Sequence, residues 1–447
     1  MEWHDRSQYS FSFSFYLFLI LITIPISNGQ VITDSIDQFE FEMEIAGPFG
    51  APYPIQNRYP IFENRPISFI KESKPKHKGK RTSSLPRGLF LNSKSAVAYD
   101  LLRKAKKSID IEIYEMEDPK FRKLLLEAIR SRNVKVRILA EPNSVANPCD
   151  EMNPQEFPSD SDQCRLDKKF VKSFTELGGS YRLFARNFLC GIIGLQCWMH
   201  GKMMIIDGEV VLFSTGNFND SSFCNLEAKP ERCNQDYSYV TANVSAVHNM
   251  QGLFEFDYNA TKDTANKIST HLEQFPNSLT TSPVARDSIL KLLDSAKKEI
   301  WMGAQYMNNE LVNIKVIELA KKRKVKVHLL LSDFCFFGRP SENKIQKIKQ
   351  LHNSFDAVGI QTMIYDDSIR IKNLPAYYHA KAIVVDKKFA WLGSINNSIN
   401  SFEMNREFGI FFQGEEEVRF LQKTLEEDFH NPLSESWSEN IKCVLNF

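Results

Sequence analysis

The sequence carries almost no net charge. It has 56 Lys and Arg residues against 55 Asp and Glu residues, which gives a formal net charge of +1. Non-specific binding to nucleic acid usually depends on a basic face that neutralises several phosphates. Composition therefore indicates no overall attraction to nucleic acid, although it is compatible with a local basic groove.

Long hydrophobic runs are also lacking, apart from one near the N-terminus. This run, Phe11–Ile26, is shorter than the roughly 20 residues that a membrane-spanning helix needs. Small residues follow it at the spacing that a signal peptidase reads, so we predict that residues 1–29 are an export signal. A retained signal anchor formed by residues 11–26 is the alternative, because the residues before the run include acidic ones instead of a net positive charge. We expect an exported protein, either secreted or extracytoplasmic.

No two cysteines are spaced as CxxC, and no histidines accompany them in a paired arrangement, so a zinc site is disfavoured. The eight cysteines are an even number, and an exported chain meets an oxidising compartment where disulfides form. Near neighbours such as Cys149 with Cys164, or Cys224 with Cys233, are candidates to close small loops. Sequence alone leaves the connectivity open.

The chain is organised as an arm followed by a duplication. Residues 30–90 show no sustained period of 2 or 3.6 residues, and we predict an extended N-terminal arm with a basic linker. Helix and strand patterns then alternate in the order SAVAYDLLRKAKKS, IDIEIYEM, FRKLLLEAIRSR and VKVRILAE, and this order returns as SILKLLDSAKKE, IWMGAQYM, VNIKVIELAKKR and VKVHLLLSD. The duplication predicts two half-domains, residues 91–262 and 280–432, each with a largely parallel sheet covered by helices.

Each copy ends in the same constellation, HxKxxxxD, which reads HGKMMIID in the first and HAKAIVVD in the second. Residues i and i+2 of a strand share a face, so the histidine and the lysine of each motif point the same way. A turn and a second strand follow and end in small polar residues, whose hydroxyl and amide groups suit phosphate oxygens. The candidate residues are His200, Lys202, Asp207, Thr215 and Asn217 in the first copy and His379, Lys381, Asp386, Ser394 and Asn396 in the second.

These motifs resemble the signature of the phospholipase D superfamily, which is HxKxxxxD followed by GSxN and present twice. The resemblance covers about residues 91–430, and the first copy departs from it with Ser214 and Thr215 where the family has Gly and Ser. It implies an α/β duplicated phospholipase D-like fold. In that fold each half-domain has a mixed, largely parallel sheet flanked by helices, and the active site lies at their interface.

Two further carboxylates come from the same resemblance. The segment NREFG is similar to the family's NxE segment, whose carboxylate orients a histidine, and this identifies Glu407. Asp236 is its proposed counterpart in the first copy. Asp207 and Asp386 stand at strand ends before turns, which favours a structural role over direct catalysis, and both stay in the candidate catalytic set.

The residue types agree with phosphodiester chemistry. A phosphodiester is an anion that repels nucleophiles, so two lysines and two asparagines around the phosphorus are suited to neutralise the charge of the transition state. The resemblance implies that one histidine attacks to form a phosphohistidine while the other acts as general acid and then as general base. By resemblance the attack falls to His200 and the acid–base work to His379, and the reverse order is also compatible. Neither a metal nor a cofactor is needed.

Three substrate classes are compatible with this chemistry. They are a phospholipase D cleaving or transferring the phosphatidyl group of glycerophospholipids at a membrane surface, a cardiolipin synthase-like phosphatidyltransferase, and a nuclease acting on DNA or RNA. The export signal and near-neutral charge favour the first, because a nuclease should show a basic cleft. The lack of a pair of spanning helices disfavours the second. A non-catalytic binding module is disfavoured because both histidines, lysines and asparagines are present. We expect a monomer.

Overall fold

The structure is a computed structural model of the 447-residue chain. It describes residues 67–71, 85–142, 162–185, 198–224, 233–261, 278–282, 285–335, 340–366, 375 and 377–440, all of which fall within one compact unit, Tyr59–Phe447. The predicted export signal and the proposed Cys149–Cys164 bridge lie outside what is described. Among the described helices, none is both long enough and apolar enough to cross a membrane.

The first half contains eight strands and five helices among the described residues. The strands are β1 (Gly88–Leu91), β2 (Ser108–Ile113), β3 (Lys135–Ala140), β4 (Ser180–Leu183), β5 (Lys202–Ile206), β6 (Val210–Ser214), β7 (Asn234–Gln235) and β8 (Tyr237–Thr241). The helices are α1 (Val97–Lys104), α2 (Pro119–Arg132), α3 (Asp162–Glu176), α4 (Asp220–Phe223) and α5 (Val244–Asn259).

The second half repeats this order and adds a strand and a helix at its end. The strands are β9 (Leu279–Ser282), β10 (Glu299–Ala304), β11 (Lys326–Ser332), β12 (Gln361–Tyr365), β13 (Tyr377–Tyr378), β14 (Ala382–Val385), β15 (Phe389–Gly393), β16 (Glu407–Phe412) and β17 (Ser434–Ser436). The helices are α6 (Ala285–Asp294), α7 (Glu310–Arg323), α8 (Glu342–Asp356), α9 (Ile399–Glu403), α10 (Glu415–Phe429) and α11 (Trp437–Asn440).

Each half builds one large mixed sheet. The first has the strand order β1-β8-β6-β5-β2-β3-β4 and the second β17-β12-β11-β10-β14-β15-β16-β9. The strands β2, β3 and β4 are parallel, as are β10, β11 and β12, and the other neighbours are antiparallel. The predicted fold class is confirmed. Parallel pairing is less extensive than predicted. Each motif strand, β5 or β14, runs antiparallel to the first parallel strand of its sheet and continues through a short turn into an antiparallel neighbour, β6 or β15.

Equivalent helices of the two halves begin and end in the same way. The N-cap residues Asp118 of α2 and Asn309 of α7 each accept a hydrogen bond from a backbone N–H of the first turn. Asn133 and Lys324, which end the same two helices, both adopt the left-handed conformation. Equivalent sequence positions therefore start and stop equivalent helices.

The two sheets share a central hydrophobic core. Met203 and Tyr237 of the first half belong to the same buried cluster as Tyr378, Leu392 and Phe408 of the second. Separate clusters lie between each sheet and its own outer helices. Because burial of apolar surface is the main stabilising contribution to folding, the two halves form one folding unit with an interface built like a domain interior.

The predicted arm and domain boundaries shift in the structure. Ile70 pairs with the C-terminal end of β16 and donates its backbone N–H to Phe411 O at 3.1 Å. The strand β1, which begins before residue 91, is part of the first sheet. At the other end, β17 and α11 extend the second half beyond residue 432. The described parts of the arm therefore contribute to both sheets.

One of the two suggested disulfides is described, and it is formed. Cys224 and Cys233 are bonded, with their Cα atoms 4.8 Å apart. Cys224 ends α4 and Cys233 directly precedes β7. The bridge therefore ties the short strand β7 to the body of the first half.

Candidate active site

Each candidate histidine is held by the backbone of the opposite half. His200 donates its backbone N–H to Arg406 O at 2.9 Å, and Arg406 directly precedes β16 of the second half. His379 follows β13, which pairs in parallel with β7 of the first half, and its N–H donates to Gln235 O at 3.3 Å. In each half, a short backbone segment therefore pairs with the segment of the other half that carries the histidine.

The histidine side chains are paired crosswise with carboxylates. Glu407 Oε2 of the second half lies 3.0 Å from His200 Nδ1 of the first. Asp236 of the first half lies 3.0 and 3.3 Å from His379 Nδ1 of the second, through Oδ1 and Oδ2. A carboxylate that accepts from Nδ1–H fixes the tautomer and leaves Nε2 as the basic and nucleophilic nitrogen. Both histidines are therefore oriented for reaction through Nε2.

The two candidate lysines are buried beside the histidines. Lys202 and Lys381 are each 1% exposed, and each donates from Nζ to the backbone oxygen of the histidine two residues earlier, at 2.6 Å. Lys381 also donates to Thr215 O of the other half at 3.3 Å. Burial lowers the pKa of Lys202 to about 8 and that of Lys381 to about 7, because an ammonium group loses its hydration inside the protein.

The four basic groups influence one another across the interface. The pKa of His200 is lowered to about 4. Burial is the main cause, the charges of Lys202 and Lys381 act in the same direction, and Glu407 opposes them. Burial, Lys381 and then Lys202 lower the pKa of His379 to about 4 in the same way. Each histidine therefore responds to the lysine of the other half. Both imidazoles are neutral near pH 7 before an anion binds.

The carboxylates remain ionised despite their burial. Burial alone would raise the pKa of Glu407, but His200 and Lys202 together outweigh it and the pKa is lowered. The same balance, with His379 and Lys381 as the favourable partners, lowers the pKa of Asp236. The site is thus a compact mixture of opposite charges in a medium of low polarity.

The polar residues that follow each motif divide into two kinds. The hydroxyl of Thr215 donates to Asp236 Oδ1 at 2.8 Å, and that of Ser394 accepts from Phe408 N at 3.1 Å. Both hydroxyls were predicted to bind phosphate. In the structure that of Thr215 binds the Asp236 carboxylate and that of Ser394 binds the backbone of β16. By contrast, the side-chain oxygens of Asn217 and Asn396 are buried without a hydrogen-bond partner among the described residues. Buried amide groups with unused hydrogen-bonding capacity are suited to a polar ligand.

Two residues next to the site were not singled out by sequence reasoning. The ring of Tyr114 packs edge-on against His200, with centroids 4.7 Å apart, and lies 5.1 Å from Lys202 Nζ. Glu115 accepts from Asn217 Nδ2 at 2.7 Å. Both directly follow β2, and the carboxyl end of a parallel strand is where binding residues gather in α/β sheets. Their place after a predicted strand was the feature of the sequence from which these two residues could have been identified.

Tyr114 and Glu115 also line a small pocket. Its charged lining consists of Glu115, Glu117, Arg122, Glu141 and Asp167. Arg122 is already paired with Asp167, so the pocket offers no excess positive charge. Burial and the neighbouring carboxylates raise the pKa of Glu117 to about 8.

Asp207 and Asp386 lie away from this centre. Asp207 accepts hydrogen bonds from the backbone N–H groups of residues 106–108 at 2.6 to 3.0 Å. Asp386 does the same for residues 297–299 at 2.8 to 3.0 Å. Each is at the far end of its strand from the lysine of its motif, roughly 15 Å away at about 3.3 Å per residue. These contacts are structural. No group of acidic, histidine or cysteine side chains in the described part of the chain could hold a metal ion.

Comparisons with known proteins agree with this geometry. The chain matches the family described as "Cardiolipin synthase, PLD-like domain" over residues 99–258 and again over residues 289–429. Each repeated half of the sequence therefore corresponds to one copy of the family's domain.

Among curated proteins, the chain is 22% identical over 356 residues to a cardiolipin synthase of Clostridium perfringens, covering 74% of this chain and 66% of the relative. It is 25% identical over 280 residues to a cardiolipin synthase of Listeria welshimeri, covering 58% of this chain and 54% of the relative. The matched region thus spans between about half and two thirds of these relatives.

Among solved structures, the fold resembles that of phosphatidylserine synthase from Haemophilus influenzae. The TM-score is 0.56 at 13% identity, covering 79% of this chain and 88% of that one. At this identity the likeness shows the fold alone.

The first prediction concerns the turn carboxylates. Because Asp207 bonds three backbone N–H groups and no reacting group, Asp207→Ala should lower the free energy of unfolding by about 2 kcal/mol and leave kcat per folded molecule unchanged. Denaturant titration and active-site-normalised kinetics measure both quantities, with Glu209→Ala on the same turn as control. A large loss of kcat at unchanged stability would show that the carboxylate acts in catalysis.

A second prediction concerns Gly216. A Cβ atom at this position would lie 2.3 Å from Asp236 Oδ2, so Gly216→Ala should displace the carboxylate that orients His379. We expect kcat to fall on the order of 10- to 100-fold, as for other supporting groups, with KM little changed. Gly252→Ala, which meets no atom within 4 Å, is the matched control. Equal kinetics for the two variants would contradict the assigned role of Asp236.

The third prediction is a pH dependence. Phosphate stabilisation needs protonated lysines, and the pKa values of Lys381 and Lys202 are lowered to about 7 and about 8. Raising the pH through this range removes their charge, so kcat/KM, which reports free-enzyme groups, should fall above pH 7. Lys381→Arg keeps its charge at all these pH values and should move the fall to higher pH. An unchanged alkaline limb in that variant would show that another group controls it.

Proposed function

The chain belongs to the phospholipase D-like superfamily, and from this premise we propose that it is a phosphatidyltransferase that works through a phosphohistidine. The observation that carries the proposal is the crosswise pairing of His200 with Glu407 and of His379 with Asp236. It gives two imidazoles, both presenting Nε2, beside two buried ammonium groups. Such a site is built to receive one phosphodiester between the two rings.

The proposed reaction begins with attack of His200 Nε2 on the phosphorus. A nitrogen–phosphorus bond forms, the phosphorus–oxygen bond to the leaving alcohol breaks, and His379 supplies the proton that this alkoxide takes up. Glu407 holds the Nδ1 proton of His200 and stabilises the positive charge that develops on the ring. Lys202 and Lys381 neutralise the phosphate oxygens.

The second half of the reaction reverses these roles. His379 removes the proton from an incoming alcohol, whose oxygen forms the new bond to phosphorus as the bond to His200 breaks. The bound phosphodiester anion raises the pKa of His379 relative to the empty site, because a nearby negative charge favours the imidazolium. The ring can therefore carry the proton before the first step and again after the second, and it is neutral while the phosphoenzyme persists.

Transfer to an alcohol is favoured over transfer to water by the relatives. The sequence pattern alone favours a hydrolase, whereas the matching family and the curated relatives carry the name of a synthase. Because the chain spans only part of those relatives, the acceptor and the donor lipid remain part of the proposal. Export, attachment to a membrane by residues 11–26 and a monomeric state likewise remain predictions.

A nucleic-acid substrate is less well supported. The pocket beside the site is lined by four carboxyl groups and one arginine that is already paired. A strand of nucleic acid would carry further phosphates past these groups, and such binding depends on a basic surface. Phosphatidylglycerol presents a single phosphodiester, and the rest of the molecule is uncharged.

The fourth prediction tests the proposed function directly. The purified protein is offered vesicles of phosphatidylglycerol, vesicles of phosphatidylcholine, and a single-stranded oligonucleotide in parallel. We expect cardiolipin and free glycerol from phosphatidylglycerol. Loss of this activity by several orders of magnitude is expected in His200→Ala and His379→Ala, but not in His248→Ala, whose side chain lies exposed on α5.

Other products would change the conclusion in defined ways. Phosphatidic acid in place of cardiolipin would identify a hydrolase and overturn transfer to an alcohol. Release of nucleotides without any lipid product would overturn the lipid substrate. Protein denatured at alkaline pH during the phosphatidylglycerol reaction, where a phosphohistidine survives, should carry phosphorus on His200, and label on His379 instead would reverse the order of the two histidines.

A further inference from the structure

The residue before each orienting carboxylate makes a buried contact across the interface. Arg406 precedes Glu407, and its guanidinium lies 3.0 Å from Asp257 Oδ2 and donates to Oδ1 at 3.1 Å. Gln235 precedes Asp236 and donates from Nε2 to Asp428 Oδ2 at 2.6 Å. In each case the donor belongs to one half and the aspartate to the other.

The two contacts are equivalent in the duplication. Asp257 follows Asp236 at the same spacing in sequence as Asp428 follows Glu407. The two aspartates lie near the ends of the equivalent helices α5 and α10. We call the pairs Arg406–Asp257 and Gln235–Asp428 the charged clamp and the neutral clamp.

Both clamps act on the segments that carry the site. Arg406 is also the residue whose backbone oxygen receives the N–H of His200, and Gln235 has the same relation to His379. Arg406 and Gln235 therefore each connect a histidine with the carboxylate that orients it. The backbone oxygen of each residue binds the histidine N–H, and its side chain binds an aspartate of the other half. All four clamp residues are buried, with at most 6% of any of them exposed.

From this arrangement we infer that Arg406 with Asp257, and Gln235 with Asp428, are positioning residues that aim Glu407 at His200 and Asp236 at His379. The two sides are held by different chemistry. The charged clamp is a buried ion pair with one hydrogen bond, from Arg406 to Asp257 Oδ1. The neutral clamp is an amide hydrogen bond to a carboxyl group that forms no ion pair with any residue that the structure describes. The effect on catalysis rests on the proposed function, while the effect on the histidine side chains does not.

The surroundings of Asp428 make the neutral clamp sensitive to protonation. The titratable and charged groups that act on it are the hydroxyls of Tyr237, Tyr378 and Tyr365, the carboxylate of Glu427 and the ammonium of Lys94. Burial raises the pKa of Asp428 to about 7, against the opposing effect of its hydrogen bonds. Near neutrality this carboxyl group therefore exchanges between two states that accept the amide hydrogen bond with different strength.

The test uses histidines labelled with ¹⁵N in the full-length protein, with His200→Ala and His379→Ala assigning their signals. Gln235→Ala should shift the Nδ1 signal of His379 and leave that of His200 in place. Arg406→Gln creates on the charged side the same amide–carboxyl pair that the other side already uses, and should shift His200 and not His379. Asp257→Asn serves if Arg406→Gln does not fold.

Matched controls separate positioning from general loosening. Arg137→Gln breaks another partly buried arginine pair that includes Glu255 of α5, and Glu415→Gln removes an exposed carboxylate from α10, the helix that carries Asp428. Neither should shift either histidine. If a clamp variant shifts both histidines alike, or neither, the inference is wrong.

Kinetics then connect the clamps with the reaction. Arg406→Gln and Gln235→Ala should each slow formation of the phosphoenzyme, which is also the step that releases the first alcohol, on the order of 10-fold at little-changed KM. If the wild-type protein turns over no lipid, the proposed function fails while the signals of the labelled histidines still decide the clamps. If lipid is turned over and both variants behave like the controls, the clamps fail alone.

Asp428→Asn provides the conservative counterpart, because an amide oxygen still accepts from Gln235. A carboxyl group whose folded-state pKa exceeds its unfolded value contributes stability below the unfolded pKa of about 4 and loses it as pH rises to about 7. The melting temperature of Asp428→Asn relative to wild type should therefore rise between pH 4 and pH 7, with the signal of His379 near its wild-type position at pH 5. A constant difference in melting temperature would show that Asp428 does not titrate in this range.

Discussion

The burial of two ammonium groups at one interface is the constraint on which the site depends. A charged group removed from water costs several kcal/mol unless neighbours compensate for its lost hydration. Lys202 and Lys381 are compensated by backbone oxygens and by two carboxylates placed nearby. These compensating groups come from both halves, so the charge of the site can be accommodated only when the two sheets are packed together. The central hydrophobic core supplies the stability that this packing requires.

Much of this arrangement could be predicted from sequence because the relevant signals are local. The motif HxKxxxxD predicts a histidine and a lysine on one face of an extended segment, and the repeated helix and strand patterns predict two similar sheets. In the structure the strands begin at Lys202 and Ala382, so both histidines lie just before them. The crosswise exchange of carboxylates could not be predicted in this way. Contacts such as that of Glu407 with His200 join residues far apart in sequence, and no periodicity reports which half supplies the partner.

Other differences have equally physical origins. Thr215 and Ser394 carry hydroxyls of the right type for phosphate, but the first donates to the Asp236 carboxylate and the second accepts from the backbone N–H of Phe408. A buried hydroxyl bonds to whichever donor or acceptor the neighbouring strand presents. The role of Gly216 was invisible for a related reason. Its lack of a side chain matters only because Asp236 approaches it closely. That approach follows from the pairing of β6 with β8, which the hydrogen bond from Thr215 N–H to Tyr237 O continues.

The fusion of two equivalent halves into one chain has a consequence for how such a site can change. In an assembly of two identical chains, every substitution would appear on both sides of the two-fold axis, and an aspartate could not replace a glutamate at one histidine without replacing it at the other. Here the first half has glycine, glutamine and aspartate where the second has Ile395, Arg406 and Glu407. Joining the halves covalently released each imidazole from the requirement to match its counterpart, so that one ring can be adapted to bonding with phosphorus and the other to carrying a proton.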